Sequence, residues 1–173
     1  ADLVVFPETI VSGYFLDGGV LESSLTGEDL VNELAKRTSR EVDALIGFYE
    51  SAGGNLYNSA AYIQLGAAPK LIHTYRKFFL PTYVVFDEER FVSRGHELGV
   101  FDTRLGRVAV LICEDVWHSI LASLAAAKGA HLILVPSASP ARGSNPGYGC
   151  AQSPGTPPRC GCPWGPVRAP RSW

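Results

Sequence analysis

A thiol or a carboxylate left where an apolar run ends can do chemistry, and this chain has one of each in that position. The thiol is Cys113, which closes the run Val108 to Ile112 in RVAVLICEDVWHSILASLAAAKGAHLILVPSAS (Arg107 to Ser139). That segment reads as strand, polar turn, helix, strand. Its first run is unbroken and β-branched, as in strands covered on both faces. Ser119 to Lys128 has helical composition with Gly129 as the stop, and His131 to Val135 is a second apolar run. A cysteine so placed is either an inert core thiol, the common fate, or a nucleophile at the carboxyl end of a buried strand. Open α/β sheets put ligand chemistry at that end, and the first N–H groups of the next helix can hold a developing anion there. The carboxylate is Glu8, delivered at the end of Leu3 to Phe6 once Pro7 has stopped the strand. Taken alone it reads as a solvated loop residue.

Arg76-Lys77 follows another apolar run and opens RKFFLPTYVVFDEERFVSRG (Arg76 to Gly95), a stretch both aromatic-rich and charged. There Asp87, Glu88 and Glu89 stand among several cations, which by itself describes surface ion pairs of little worth. Phe78, Phe79, Tyr83, Phe86 and Phe91 argue instead for a loop folded onto the domain and lining a pocket. Asp115 reads as an N-cap for the helix that follows, and Trp117 as packing or a pocket wall. His73, His96, His118 and His131 lack metal-ligand spacing, so no metal site is expected.

The elements that must position these groups follow from patterning. Thr26-Gly27-Glu28-Asp29 has the form of a capping box ahead of a helix to about Arg40, with Leu30, Leu34 and Val42 as its apolar stripe. Val42 to Tyr49 and Ala60 to Leu65 read as strands joined through Gly53-Gly54-Asn55, and Leu71 to Tyr75 as another strand. Strands alternating with helices predict a layered α/β domain, and the consecutive strands between 42 and 75 make its sheets mixed.

Composition narrows the class. The 173 residues, 46% hydrophobic and 18% charged, suit one globular domain. A net charge of -2 without a dense basic cluster gives no footing for nucleic acid or an acidic membrane. No apolar run is long enough for a bilayer, and no charged segment followed by an apolar one opens the chain, so the expected location is cytoplasmic. Cys113 stands alone, while Cys150, Cys160 and Cys162 fall in Ser144 to Trp173, thirty residues with seven Pro and five Gly. That stretch lacks apolar periodicity and is expected to be irregular or disordered.

Three separated segments, LVVFPETIVSGY, RKFFLPTYVVFDEERFVSRG and GRVAVLICEDVW, resemble in sequence and order the carbon–nitrogen hydrolase family, the nitrilase superfamily. Within it, CEDVW and LPTYVVFDEERF look most like the glutaminase portion of glutamine-dependent NAD synthetases and the amidases near them. The resemblance implies an αββα four-layer sandwich with mixed sheets and a catalytic set Glu8, Lys77 and Cys113. Glu88 matches its supporting carboxylate, and Glu114, Tyr83 and Trp117 are the further substrate-side candidates. It implies a small amide as substrate, no cofactor, and a dimer or larger homo-oligomer pairing through helices such as that near Ser119 to Lys128. Thiol attack followed by thioester hydrolysis splits a hard amide cleavage into two easier steps and releases ammonia.

Family members carry further elements before Leu3 and after Gly143. The expectation is therefore a partial hydrolase domain over residues 1–143, incomplete at both ends, followed by the tail 144–173. Two functions follow: a cysteine-dependent amidohydrolase, or a catalytically inactive, truncated family member acting as a structural or interaction module.

Overall fold

Two eleven-residue strands, β2 (Val42–Ala52) and β3 (Asn55–Leu65), are joined by a two-residue turn and make the longest ladder among the described residues. Gly53 and Gly54 both have positive φ, 58° and 81°, the backbone that a two-residue hairpin turn requires. The structure, a computed structural model, describes residues 1–14, 19–82 and 87–138. Tyr83 and the tail 144–173 lie outside the described residues.

On one side β2 pairs in parallel with β1 (Leu3–Val5), and on the other β3 pairs antiparallel with β4 (Lys70–Arg76), giving the order β1-β2-β3-β4. A second sheet has the order β5-β6-β7, with β5 (Val100–Thr103) antiparallel and β7 (Leu132–Leu134) parallel to β6 (Gly106–Val110). Both sheets are mixed, as expected.

Side-chain alternation assigns the faces. Ala44, Ile46 and Phe48 of β2 pack with Ala61 and Ile63 of β3 against Leu30, which belongs to α2 (Gly27–Ala35). The alternate residues Leu45, Ala60, Tyr62 and Tyr75 meet Val108, Val110, Leu111, Ile112 and Leu134 of the second sheet, together with Leu121 of α3 (Ser119–Ala127). A residue period of two thus feeds two cores from one sheet, and the layers run α2, sheet, sheet, α3. Each Leu, Ile, Val or Phe buried there contributes about 1.5–3 kcal/mol, so a polar side chain holding a core-facing position needs a reason.

The capping box is formed: Asp29 N–H donates to Thr26 Oγ1 at 3.1 Å and Thr26 N–H to Asp29 Oδ2 at 3.3 Å. The helix stops at Ala35, five residues short of the expected Arg40. There Thr38 Oγ1 accepts from the Arg40 N–H at 3.1 Å, a local bond that competes with helical continuation. A short α1 (Val20–Ser23) and two 3-10 turns, Glu88–Arg90 and Cys113–Trp117, complete the described elements.

Candidate active site

Glu8 is brought inward by a close backbone crossing. Past β1, the Phe6 N–H donates to the Leu45 carbonyl at 2.9 Å, and the chain then turns over Gly47. A Cβ on Gly47 would lie 2.4 Å from Thr9 N and 2.7 Å from the Pro7 carbonyl oxygen, so a bare α-carbon in β2 is what lets the loop pass so low. Thr9 takes a left-handed φ of 45°, and Glu8 ends up buried.

Lys77 is the first residue after β4. Its N–H donates to the Asn58 carbonyl and its own carbonyl accepts from the Gly95 N–H, both at 2.8 Å, which fixes the backbone from two sides. Glu88 opens a 3-10 turn anchored by its N–H on the Pro81 carbonyl at 3.2 Å. Cys113 follows β6, whose parallel register continues through Leu111 N–H to Leu134 O at 3.0 Å and Cys113 N–H to Pro136 O at 2.9 Å. At φ 46° Cys113 is a non-glycine residue in left-handed backbone, a strain of about 1–3 kcal/mol that the surrounding pairing holds in place.

These four deliveries converge. Lys77 Nζ donates to Glu8 Oε1 at 2.7 Å and to Glu88 Oε2 at 2.8 Å, with the lysine side chain 0% exposed. Asn58 Nδ2 donates to the remaining lone pair of Glu8 Oε1 at 2.8 Å and to Glu88 Oε1 at 2.7 Å. Glu8 Oε2 accepts from the Ala138 N–H at 3.0 Å, and the Cys113 thiol hydrogen-bonds the Glu8 carboxylate. Tyr14 hydrogen-bonds Glu88, and its ring lies 5.6 Å from Lys77 Nζ.

Burial and charge set the protonation states. For Lys77, burial opposes the charged form, but the carboxylates of Glu8 and Glu88 outweigh it and raise the pKa, so the ammonium persists. The Cys113 thiol is pushed up to about 12, first by burial and then by the charge of Glu8, partly offset by Lys77. The resting group is therefore a thiol beside a carboxylate. Burial also raises Glu88, against the lowering effect of Lys77.

Asp115 is a correction. It does not cap α3, which begins after His118 without a side-chain cap, but belongs to the 3-10 turn Cys113–Trp117, whose first N–H, that of Ile112, it holds. Asp115 is 0% exposed and accepts from Ile112 N–H at 3.1 Å, Phe78 N–H at 3.1 Å, Phe79 N–H at 2.7 Å and Tyr75 O–H at 2.9 Å. It ties the strand end carrying Cys113 to the loop carrying Lys77. Burial raises its pKa and these donors draw it back.

Of the residues singled out in the sequence, the structure gathers Glu8, Lys77, Glu88 and Cys113. Glu114 is half-buried, with Oε1 3.5 Å from His118 Nε2. Trp117 stands apart, 64% exposed. Three partners were missed. Asn58 had a signal, being a polar residue at the same parity as the core-facing Ala60 and Tyr62; Tyr14 had none beyond its turn; Asp115 was seen but given a local role. An open cavity of about 300 Å³ bounded by Glu41, Gln64, Leu65 and Arg104 lies at the other end of the β2–β3 ladder and holds none of these groups. Its Arg104 is paired with Asp43. Among the described residues no group of three His, Cys, Asp or Glu is arranged for a metal ion, and no helix is long and apolar enough to cross a membrane.

The sequence profile described as carbon-nitrogen hydrolase matches residues 1–150. The chain belongs to the carbon–nitrogen hydrolase family. It is 37% identical over 144 residues to a glutamine-dependent NAD(+) synthetase of Xanthomonas campestris pv. campestris, covering 81% of this chain and 25% of that protein. In fold it is similar to the glutamine-dependent NAD+ synthetase of Acinetobacter baumannii, with a TM-score of 0.70 and 30% identity, covering 82% of this chain and 27% of that one. It is also similar to Saccharomyces cerevisiae Nit3, a member of branch 10 of the nitrilase superfamily, with a TM-score of 0.63 and 29% identity, over 79% of this chain and 51% of that one. The αββα arrangement is thus the nitrilase-like fold, and this hydrolase-family chain spans about a quarter of the length of the synthetases it matches.

Proposed function

We propose that this chain carries a cysteine amidohydrolase site that cleaves the C–N bond of a small carboxamide through a thioester. The observation that carries the reading is the meeting of Glu8, Lys77 and Cys113, three residues far apart in sequence, in one buried cluster with Glu88. Similarity to glutamine-dependent synthetases ranks glutamine first among the amides.

In this reading Cys113 Sγ attacks the carbonyl carbon as its proton passes to Glu8. Lys77 has three N–H donors, of which Glu8 and Glu88 take two among the described residues. The third meets the oxyanion of the tetrahedral intermediate. As the C–N bond breaks, Glu8 returns the proton to the departing nitrogen and ammonia leaves. Water then attacks the thioester, Glu8 takes its proton, the C–S bond breaks, and the proton returns to sulfur. A thiol with its pKa near 12 needs such a partner, because at neutral pH almost none of it is thiolate unaided. A cytoplasmic setting, where thiols stay reduced, suits this group. Copies of the chain pair through α3, where Ile120 and Leu124 are exposed.

The test is ammonia release from glutamine and a panel of small amides, with mass spectrometry of the quenched chain for an acyl adduct on Cys113. Turnover and adduct both lost in Cys113→Ala support the reading. Undiminished turnover in that variant overturns it.

A further inference from the structure

We propose that Asn58 is a positioning residue of this site: its side-chain amide, donating to Glu8 and Glu88 at once, lets two carboxylates share one ammonium while both stay ionised, and keeps Glu8 ready for the thiol proton. The inference rests on the hydrolase reading for its catalytic consequence but not for its structural one.

Three observations carry it. The first is arithmetic of charge. Glu8 and Glu88 both contact Lys77, all three are buried, and one ammonium cannot neutralise two carboxylates. A pair of carboxylates brought together in that way retains a proton unless further donors hold both charges. Asn58 supplies those donors, at 2.8 Å to Glu8 and 2.7 Å to Glu88.

The second is lone-pair count. Oε1 of Glu8 has its two acceptor sites filled by Lys77 Nζ and Asn58 Nδ2, and Oε2 has one filled by the Ala138 N–H. One site remains on Oε2, and that is the position left for the proton of Cys113. Without Asn58 a second acceptor site opens on the oxygen facing Lys77, and the proton has somewhere else to go.

The third is orientation. Asn58 is 0% exposed and its Oδ1 has no hydrogen-bond partner among the described residues. An isolated buried carbonyl is a cost, and a reversed amide would set that oxygen against two carboxylates, which is worse. The amide is thus committed to donating, and β3 fixes its direction: the Asn58 carbonyl accepts from the Lys77 N–H, so backbone and side chain of one residue serve both the cation and its counter-ions.

The experiment compares the full chain with Asn58→Leu, similar in volume but without donors, and Asn58→Ser, which keeps one. Isotope-labelled glutamate carboxyl carbons are titrated by NMR, with Glu8→Gln and Glu88→Gln giving the assignments. The titration midpoint of the pair is expected to rise by about one to two pH units in Asn58→Leu, the size of a lost hydrogen bond to a charged group, and by less in Asn58→Ser. In the amide assay the acid limb of kcat moves up by the same amount, so turnover falls at and below neutral pH and recovers in alkali, while KM changes little. An unchanged titration in either folded variant overturns the proposal, as does a kcat loss equal at every pH, which marks a merely structural role. If Asn58→Leu does not fold, Asn58→Ser decides. A wild-type chain without Cys113-dependent ammonia release sinks the hydrolase reading alone, because the carboxyl titration still judges Asn58.

Discussion

Arg76 and Lys77 are consecutive cations at the end of one strand, each held by glutamate, yet they end up doing opposite things. Arg76 meets Glu50 in a two-pronged pair, Nε to Oε2 at 2.7 Å and Nη2 to Oε1 at 2.9 Å, with Ser59 Oγ donating to Oε2 at 2.8 Å and the guanidinium 4.4 Å above the Tyr57 ring. The matched planar geometry pairs one guanidinium with one carboxylate, charge for charge. Lys77 has two carboxylates and one point charge, a spare donor, and a thiol alongside. Strand alternation separates the two clusters: Tyr57 and Ser59 stand on one face of β3 and Asn58 on the other. A pair balanced one charge against one is scaffold, whereas two carboxylates on one ammonium beside a thiol have capacity left for chemistry.

The comparison breaks most easily at Lys77. Lys77→Met strands two buried carboxylates and is expected to cost about 3–5 kcal/mol of stability. Ammonia release should also fall by about 10²–10³-fold or more. Thermal melts and the amide assay check both, and near-normal turnover would erase the distinction drawn above.

Glu8→Gln sharpens it further by moving two readouts in opposite directions. Turnover is expected to fall about 10²–10⁴-fold with loss of the base. The thiol, relieved of the neighbouring charge that helps hold it near 12, should be alkylated faster at alkaline pH. The sign for stability follows. The folded thiol keeps its proton after the unfolded one has lost it, so wild-type stability declines as pH rises from about 8.5 toward about 12. The decline should be shallower in the variant, as read by denaturant melts across that window.

A smaller effect is expected at Gly47→Ala, where the new methyl meets the backbone of Thr9 at 2.4 Å and lifts the loop carrying Glu8. Overpacking of this kind costs about 1–3 kcal/mol. The assay should show kcat reduced and KM little changed. The least effect belongs to Arg76→Lys. Its side chain is 40% exposed, so exchanging two prongs for one should cost at most about 1 kcal/mol and leave turnover essentially intact. A large loss of activity there would show that the two clusters are not separable.

Much was legible in the chain itself. Apolar period fixed β2, β3 and their hairpin, the capping box started α2, and chain breaks at Pro7 and after Ile112 marked where Glu8 and Cys113 leave their strands. These are local consequences of backbone sterics and hydrophobic patterning, which a sequence carries openly. What it did not carry is which distant groups share a proton. That the Cys113 thiol is raised rather than lowered, that Asp115 clamps the lysine loop instead of capping α3, and that Asn58 stands between two carboxylates all depend on burial and on contacts across tens of residues. Desolvation is a property of the packed interior, so only the tertiary structure decided them.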